Sequence, residues 1–187
     1  MSVKTNIFSS FIYEELFNLD VKSMKDKILK IKSNGLGRDI CNYGGWQSHN
    51  FKKIDKSFKN LFDKINSIIP EATEQLELTN PIKLQSYWIL INKPGSFYGP
   101  HNHAEAIISG VYYIDAPEHC GRLVFDNWID AGGIYKKTNK FNEYNSSNWR
   151  HSPQNNLCLL FPSYLKHYVE PNFNKKNRIS VSFNYGF

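Results

Sequence analysis

Five short apolar runs in the second half of the chain most constrain its fold. IKLQSYWILI, IISGVYYI, GRLVF, NLCLLF and RISVSF are rich in β-branched and aromatic residues, and Pro, Gly and aromatic residues punctuate the sequence around them. Each has the length and composition of a β-strand. Helical periodicity belongs to the first third instead. From Asp20 to Lys32, Val21, Met24, Ile28 and Ile31 recur at three- and four-residue spacing, the stripe of an amphipathic helix. Asp20 is placed to cap it, and Ser33-Asn34-Gly35 to end it. A second stripe runs through Phe51, Ile54, Phe58, Leu61, Phe62, Ile65, Ile68 and Ile69 and is expected to stop at Pro70.

Two helices followed by five or more short strands predict a mainly β chain, an antiparallel sandwich with the helices packed on one sheet. We expect one domain over residues 1–187, with a helical part at 1–75 and the β core at 82–187. There is no internal repeat, low-complexity tract or clear linker. Residues 130–156 are polar and rich in Gly and Asn, and read as a long loop. With Trp128, Tyr135, Tyr144 and Trp149 in or beside it, that loop is either a substrate cover or a surface loop packed by its own aromatics.

Composition removes several function classes. A chain of 187 residues buries a core without covalent staples. Cys41, Cys120 and Cys158 form no CxxC pair and no zinc-spaced set, so a reducing compartment is expected. That means the cytoplasm, or a host's cytoplasm if the chain is phage-encoded. The first residues, MSVKTNIFSSFIYEELF, lack the basic start and long apolar run expected of a signal peptide, and no stretch approaches the length of a membrane span. The formal charge of +6 invites a nucleic-acid reading, but only Arg38, Arg122, Arg150 and Arg178 of the 23 basic residues are arginine. The lysines are spread over helices and loops, so solvated helix faces are the simpler account and no nucleic-acid partner is expected. A homodimer is compatible with the sequence.

Of six histidines, His49, His119 and His151 read as ordinary surface or core residues. His101 and His103 differ, because two residues apart in extended chain their side chains share a face and can bite one metal ion. His167 follows the apolar run NLCLLF, and eleven residues later Arg178 opens the last strand-like run. An arginine there is either an exposed edge residue or a buried cation that meets an anion.

These blocks resemble a known family. Pro94-Gly95, His101-Asn102-His103, Ser109-Gly110-Val111-Tyr112-Tyr113-Ile114, Pro117, Gly121-Arg122-Leu123-Val124-Phe125-Asp126, Leu160-Phe161-Pro162-Ser163, His167, Val169, Pro171 and Arg178 to Asn184 stand in the order found in the short 2OG-Fe(II) oxygenases of bacteria and phages. The resemblance covers about residues 82–187. Gly44 to Ser48 resembles a segment upstream in that group, and Tyr98, three before His101, resembles the Tyr-x-x-His-x-Asp of prolyl hydroxylases.

The resemblance implies a double-stranded β-helix, a cupin-like jelly roll, and a 2-oxoglutarate-dependent dioxygenase using Fe(II), 2-oxoglutarate and O2. It implies hydroxylation of a small-molecule or peptide substrate, with release of succinate and CO2. His101, His103 and His167 would hold the metal. Arg178 would meet the distal carboxylate of 2-oxoglutarate, with Ser180 on the same strand face. Tyr98 and Ser109 would line the cosubstrate pocket. His103 stands where such sites commonly carry a carboxylate. A second register, with His103 and Glu105 as the ligand pair and His101 behind them, therefore stays open. Two other readings also stay open: a three-histidine cupin-like metalloenzyme that does not use 2-oxoglutarate, and a non-enzymatic jelly-roll binding or structural module.

Overall fold

In a computed structural model, described over residues 1–38, 40–127 and 138–187, two antiparallel sheets face each other. The major sheet has the order β1-β9-β6-β11-β4-β3, with β1 at Tyr13–Leu16, β3 at Trp46–Gln47, β4 at Lys83–Asn92, β6 at Ile108–Asp115, β9 at Leu157–Pro162 and β11 at Arg178–Gly186. The minor sheet has the order β2-β5-β10-β7-β8, with β2 at Asn42–Tyr43, β5 at Phe97–His101, β7 at Leu123–Asp126, β8 at Asn148–His151 and β10 at His167–Val169. This is the jelly-roll double-stranded β-helix. Two helices, α1 at Lys22–Ser33 and α2 at Lys59–Ala72, cover the outer face of the major sheet.

The near-continuous apolar runs are explained by burial on both faces of that sheet. In β4, Tyr87, Ile89 and Ile91 pack against Leu61, Phe62 and Ile65 of α2, in the outer core. Trp88 and Leu90 point the other way, into a second core with Tyr113, Phe161 and Val169. In β11, Ile179, Val181 and Phe183 belong to the helix side, which leaves Arg178, Ser180 and Ser182 for the space between the sheets.

Several expectations are corrected. Residues 1–75 hold both helices but also supply β1, β2 and β3, short edge strands that pair with longer ones. The first helix starts at Lys22, and the Asp20 carboxylate accepts the Lys22 N–H at 2.9 Å from two residues upstream. The second helix starts at Lys59, behind a single 3-10 turn at Lys56–Phe58. Phe51 instead bridges Tyr87 on β4, which takes it out of the helical stripe. Pro70 does not end this helix. The chain stays helical to Ala72, where Thr73 closes it with its N–H and hydroxyl both on the Ile69 carbonyl. Within the segment read as a loop, Asn148–His151 forms β8, because it pairs with β7 along its whole length. Trp128 and Tyr135 lie outside the described residues, while Tyr144 and Trp149 are exposed.

Candidate metal centre and anion pocket

Neighbouring strands of the minor sheet bring three imidazoles together. His101 ends β5 and His167 begins β10, and the two residues are direct cross-strand partners. His103 is not on the strand, as its spacing suggested. β5 ends at His101, and His103 sits in the following loop, its N–H bound to the Ser163 carbonyl at 2.9 Å. One ligand atom from each of His101, His103 and His167 lies within 4.8 Å of the others. Among the described residues this is the only group of His, Cys, Asp and Glu side chains placed to hold a metal. Glu105 is exposed and stands outside it.

Tautomers follow from the hydrogen bonds. His101 Nδ1 lies 2.8 Å from the Gly99 carbonyl, and His167 Nδ1 lies 2.8 Å from the Leu165 carbonyl. A carbonyl only accepts, so each Nδ1 carries a proton, and Nε2 is the atom left to ligate a metal. Such orientation of imidazoles by backbone carbonyls is the usual support of a metal ligand. His103 is packed against the Trp88 indole, with ring centroids 5.5 Å apart. Burial pushes His103 down to about 4, and the charge of His101 adds to this. His167 is pushed down to about 3, again by burial first, then by His101, with its bond to Leu165 opposing. Both are therefore neutral at neutral pH, the form that binds metal.

The same cavity holds Arg178, which is 2% exposed. Its Nη1 donates to the Gly121 carbonyl and its Nη2 to Asn92 Oδ1, both at 2.9 Å, and the Tyr113 ring lies 5.9 Å away. No carboxylate among the described residues pairs with it, and its Nε has no hydrogen-bond partner. Two residues on, the fully buried Ser180 hydroxyl also lacks a partner. A buried cation held only by neutral groups, beside an unused hydroxyl, suits an anionic ligand with several acceptor oxygens. The donor set of three imidazoles and this cationic pocket therefore fits Fe(II) together with a dicarboxylate.

Tyr98 and Ser109 also line the cavity. Ser109 is already engaged, its hydroxyl on Asn184 Oδ1 at 2.8 Å and against Ser163 at 2.9 Å. Four contributors were given no role by the sequence reading: Asn92 and Gly121 behind Arg178, Tyr113 beside it, and Trp88 against His103. Tyr113 and Gly121 stand in the blocks that carry the family resemblance. Gly121 also has a local backbone reason. It has φ +90°, and a Cβ there would meet the Glu170 carbonyl oxygen at 2.2 Å.

Residues 86–184 match the family described as "Putative 2OG-Fe(II) oxygenase". No curated protein matches the sequence. Among solved structures, a prolyl-4-hydroxylase of Pseudomonas putida superposes with a TM-score of 0.66 at 14% identity, covering 93% of this chain and 91% of its own. A prolyl hydroxylase of Trichoplax adhaerens, in complex with a peptide fragment of hypoxia inducible factor, gives 0.66 at 15% identity, covering 93% and 82%. The α-ketoglutarate-dependent carbocyclase SnoK of nogalamycin biosynthesis gives 0.67 at 10% identity, covering 93% and 78%. At these identities the likeness is one of fold. Among the described residues, no helix is long and apolar enough to cross a membrane.

Proposed function

We infer the reaction from one premise: this chain belongs to the 2OG-Fe(II) oxygenase family, an oxidoreductase family that uses Fe(II), 2-oxoglutarate and O2. It hydroxylates an unactivated C–H bond of a small-molecule or peptide substrate. The observation that carries this reading is the shared cavity, in which three imidazoles face the same space as a buried arginine that has no acidic partner among the described residues. A metal enzyme that does not use 2-oxoglutarate has no need of that arginine.

His101, His103 and His167 would hold the iron, through Nε2 in His101 and His167 because Nδ1 is committed to backbone carbonyls. Arg178 binds the distal carboxylate of 2-oxoglutarate, with the Ser180 hydroxyl as a further donor and Tyr98 lining the pocket. When bound, iron and 2-oxoglutarate supply the oxidising chemistry, in which one atom of O2 goes to succinate, CO2 leaves, and the other oxidises the substrate. The chain places the groups and keeps water out, with Leu90, Leu123, Phe161 and Val169 as apolar walls. Three imidazoles add no negative charge, so a dipositive metal held by them would keep one more unit of positive charge than beside a carboxylate ligand. Among substrate classes, the peptide held by the Trichoplax neighbour supports a peptide alongside a small molecule.

Anaerobic addition of 2-oxoglutarate to the Fe(II)-loaded protein tests the reading. A weak visible charge-transfer band that requires both components is expected. Iron binding without any 2-oxoglutarate-dependent band would sink it.

A further inference from the structure

Asn92 raises a question that the metal centre does not answer. It is the last residue of β4, fully buried, and sits directly across from Arg178 in the β4–β11 register. Its Oδ1 accepts from Arg178 Nη2 at 2.9 Å, while its Nδ2 is buried without a partner. The amide cannot turn round, because the guanidinium has only donors and would then face another donor. A buried amide N–H2 left unpaired is a standing cost. Aspartate, with the same shape, would remove that orphan and give Arg178 a counter-ion. For the fold alone, aspartate is the better residue.

We propose that Asn92 is a positioning and specificity-determining residue: it fixes the Arg178 guanidinium through a neutral acceptor, so that the positive charge stays available to the distal carboxylate of the cosubstrate. This rests on the reading of Arg178 given above. The other fixed partner of the guanidinium is neutral too. Gly121 offers a carbonyl, held in place by a backbone that only glycine fits there. Asn92 is itself locked, since its carbonyl accepts from Asn172 Nδ2 at 2.9 Å and Asn172 is also bound to the Lys176 carbonyl. The guanidinium is thus oriented without being neutralised. A 2-oxo acid with a second carboxylate is selected over one that ends in a methyl group.

The test compares 2-oxoglutarate with 2-oxopentanoate, which has a methyl where the distal carboxylate stands. Binding is measured anaerobically on the Fe(II)-loaded protein, by the charge-transfer band or by calorimetry. In N92D the new carboxylate pairs with Arg178. Affinity for 2-oxoglutarate is expected to fall roughly 10- to 100-fold, the worth of one hydrogen bond between charged groups. Affinity for 2-oxopentanoate is expected to stay within about 3-fold, since nothing it touches has changed. N92S keeps a neutral acceptor and is expected to keep most of the wild-type preference for the diacid. The proposal is overturned if N92D retains that preference, or if both ligands weaken equally, which is what a merely structural role predicts. If the wild-type protein itself shows no preference, the assignment of Arg178 fails first and the role of Asn92 falls with it.

Discussion

Replacing Arg178 with methionine separates what this residue does for the ligand from what it does for the fold. The guanidinium is 2% exposed and its two resolved hydrogen bonds go to neutral acceptors, Gly121 O and Asn92 Oδ1. In the apo protein, R178M leaves those acceptors without donors, at about 1–3 kcal/mol each. It also removes a buried cation whose desolvation costs several kcal/mol. These effects oppose each other, so apo stability is expected to stay within about 2 kcal/mol of wild type, read by urea unfolding. Ligand binding has no such compensation. Removing one partner of a buried pair costs about 3–5 kcal/mol, which corresponds to roughly 100- to 1000-fold or more in affinity for 2-oxoglutarate. Anaerobic titration of the Fe(II)-loaded protein measures this against 2-oxopentanoate. The wild-type preference for the diacid is expected to collapse to near parity in R178M. R178K keeps the charge but loses the planar fork, and is expected to fall between. An R178M protein that folds, binds iron and still prefers 2-oxoglutarate would refute the reasoning.

Other outcomes follow from the same geometry. H101Q and H167Q are each expected to lose stoichiometric iron, measured by metal analysis after gel filtration, whereas E105Q keeps it, because Glu105 is exposed and outside the histidine group. Acid is expected to destabilise the metal-free protein from about pH 6.5 downward. The unfolded imidazoles take up protons there, while folded His103 and His167 refuse them until about 4 and about 3. Their contribution is whole above about pH 6.5, is lost as pH falls from there toward those values, and does not change further below them. The slope is up to about 1.4 kcal/mol per pH unit for each group, and H167Q is expected to remove about half of it in chemical unfolding across pH. G121A is expected to cost about 2 kcal/mol or more in urea unfolding, since the new Cβ meets the Glu170 carbonyl and φ is +90°.

The sequence shows β4, β6, β7, β9 and β11 to within a few residues, because strands buried on both faces are written as apolar runs. It hides β5, FYGPH, whose glycine, proline and histidine are there for a turn and a site rather than for a core. It hides β1, β2, β3, β8 and β10 as well, which have two to four residues each and are held by their partners rather than by local preference. The closeness of the two histidines was legible from their spacing, but for a reason the structure replaces. His103 owes its position to the Ser163 carbonyl, 60 residues away in sequence, and not to the face of a strand. Asn92 was invisible because it stands at the end of a strand-like apolar run, where nothing local marks an amide aimed at a guanidinium.

The alternation along β11 ties the site to the integrity of the chain count. Arg178, Ser180 and Ser182 face the cavity only because Ile179, Val181 and Phe183 face the helices, with β4 and β6 fixing the register on both sides. Inserting one residue between Arg178 and Phe183 leaves two bad choices. Either the apolar residues turn into the cavity and the arginine into the helical core, or the strand bulges and the site residues part company. A deletion of two residues keeps the faces but puts a shorter side chain where the guanidinium stood. This stretch therefore tolerates no change of length, so a library of insertions and deletions should find β11 closed where the largely exposed segment around residues 138–147 is open.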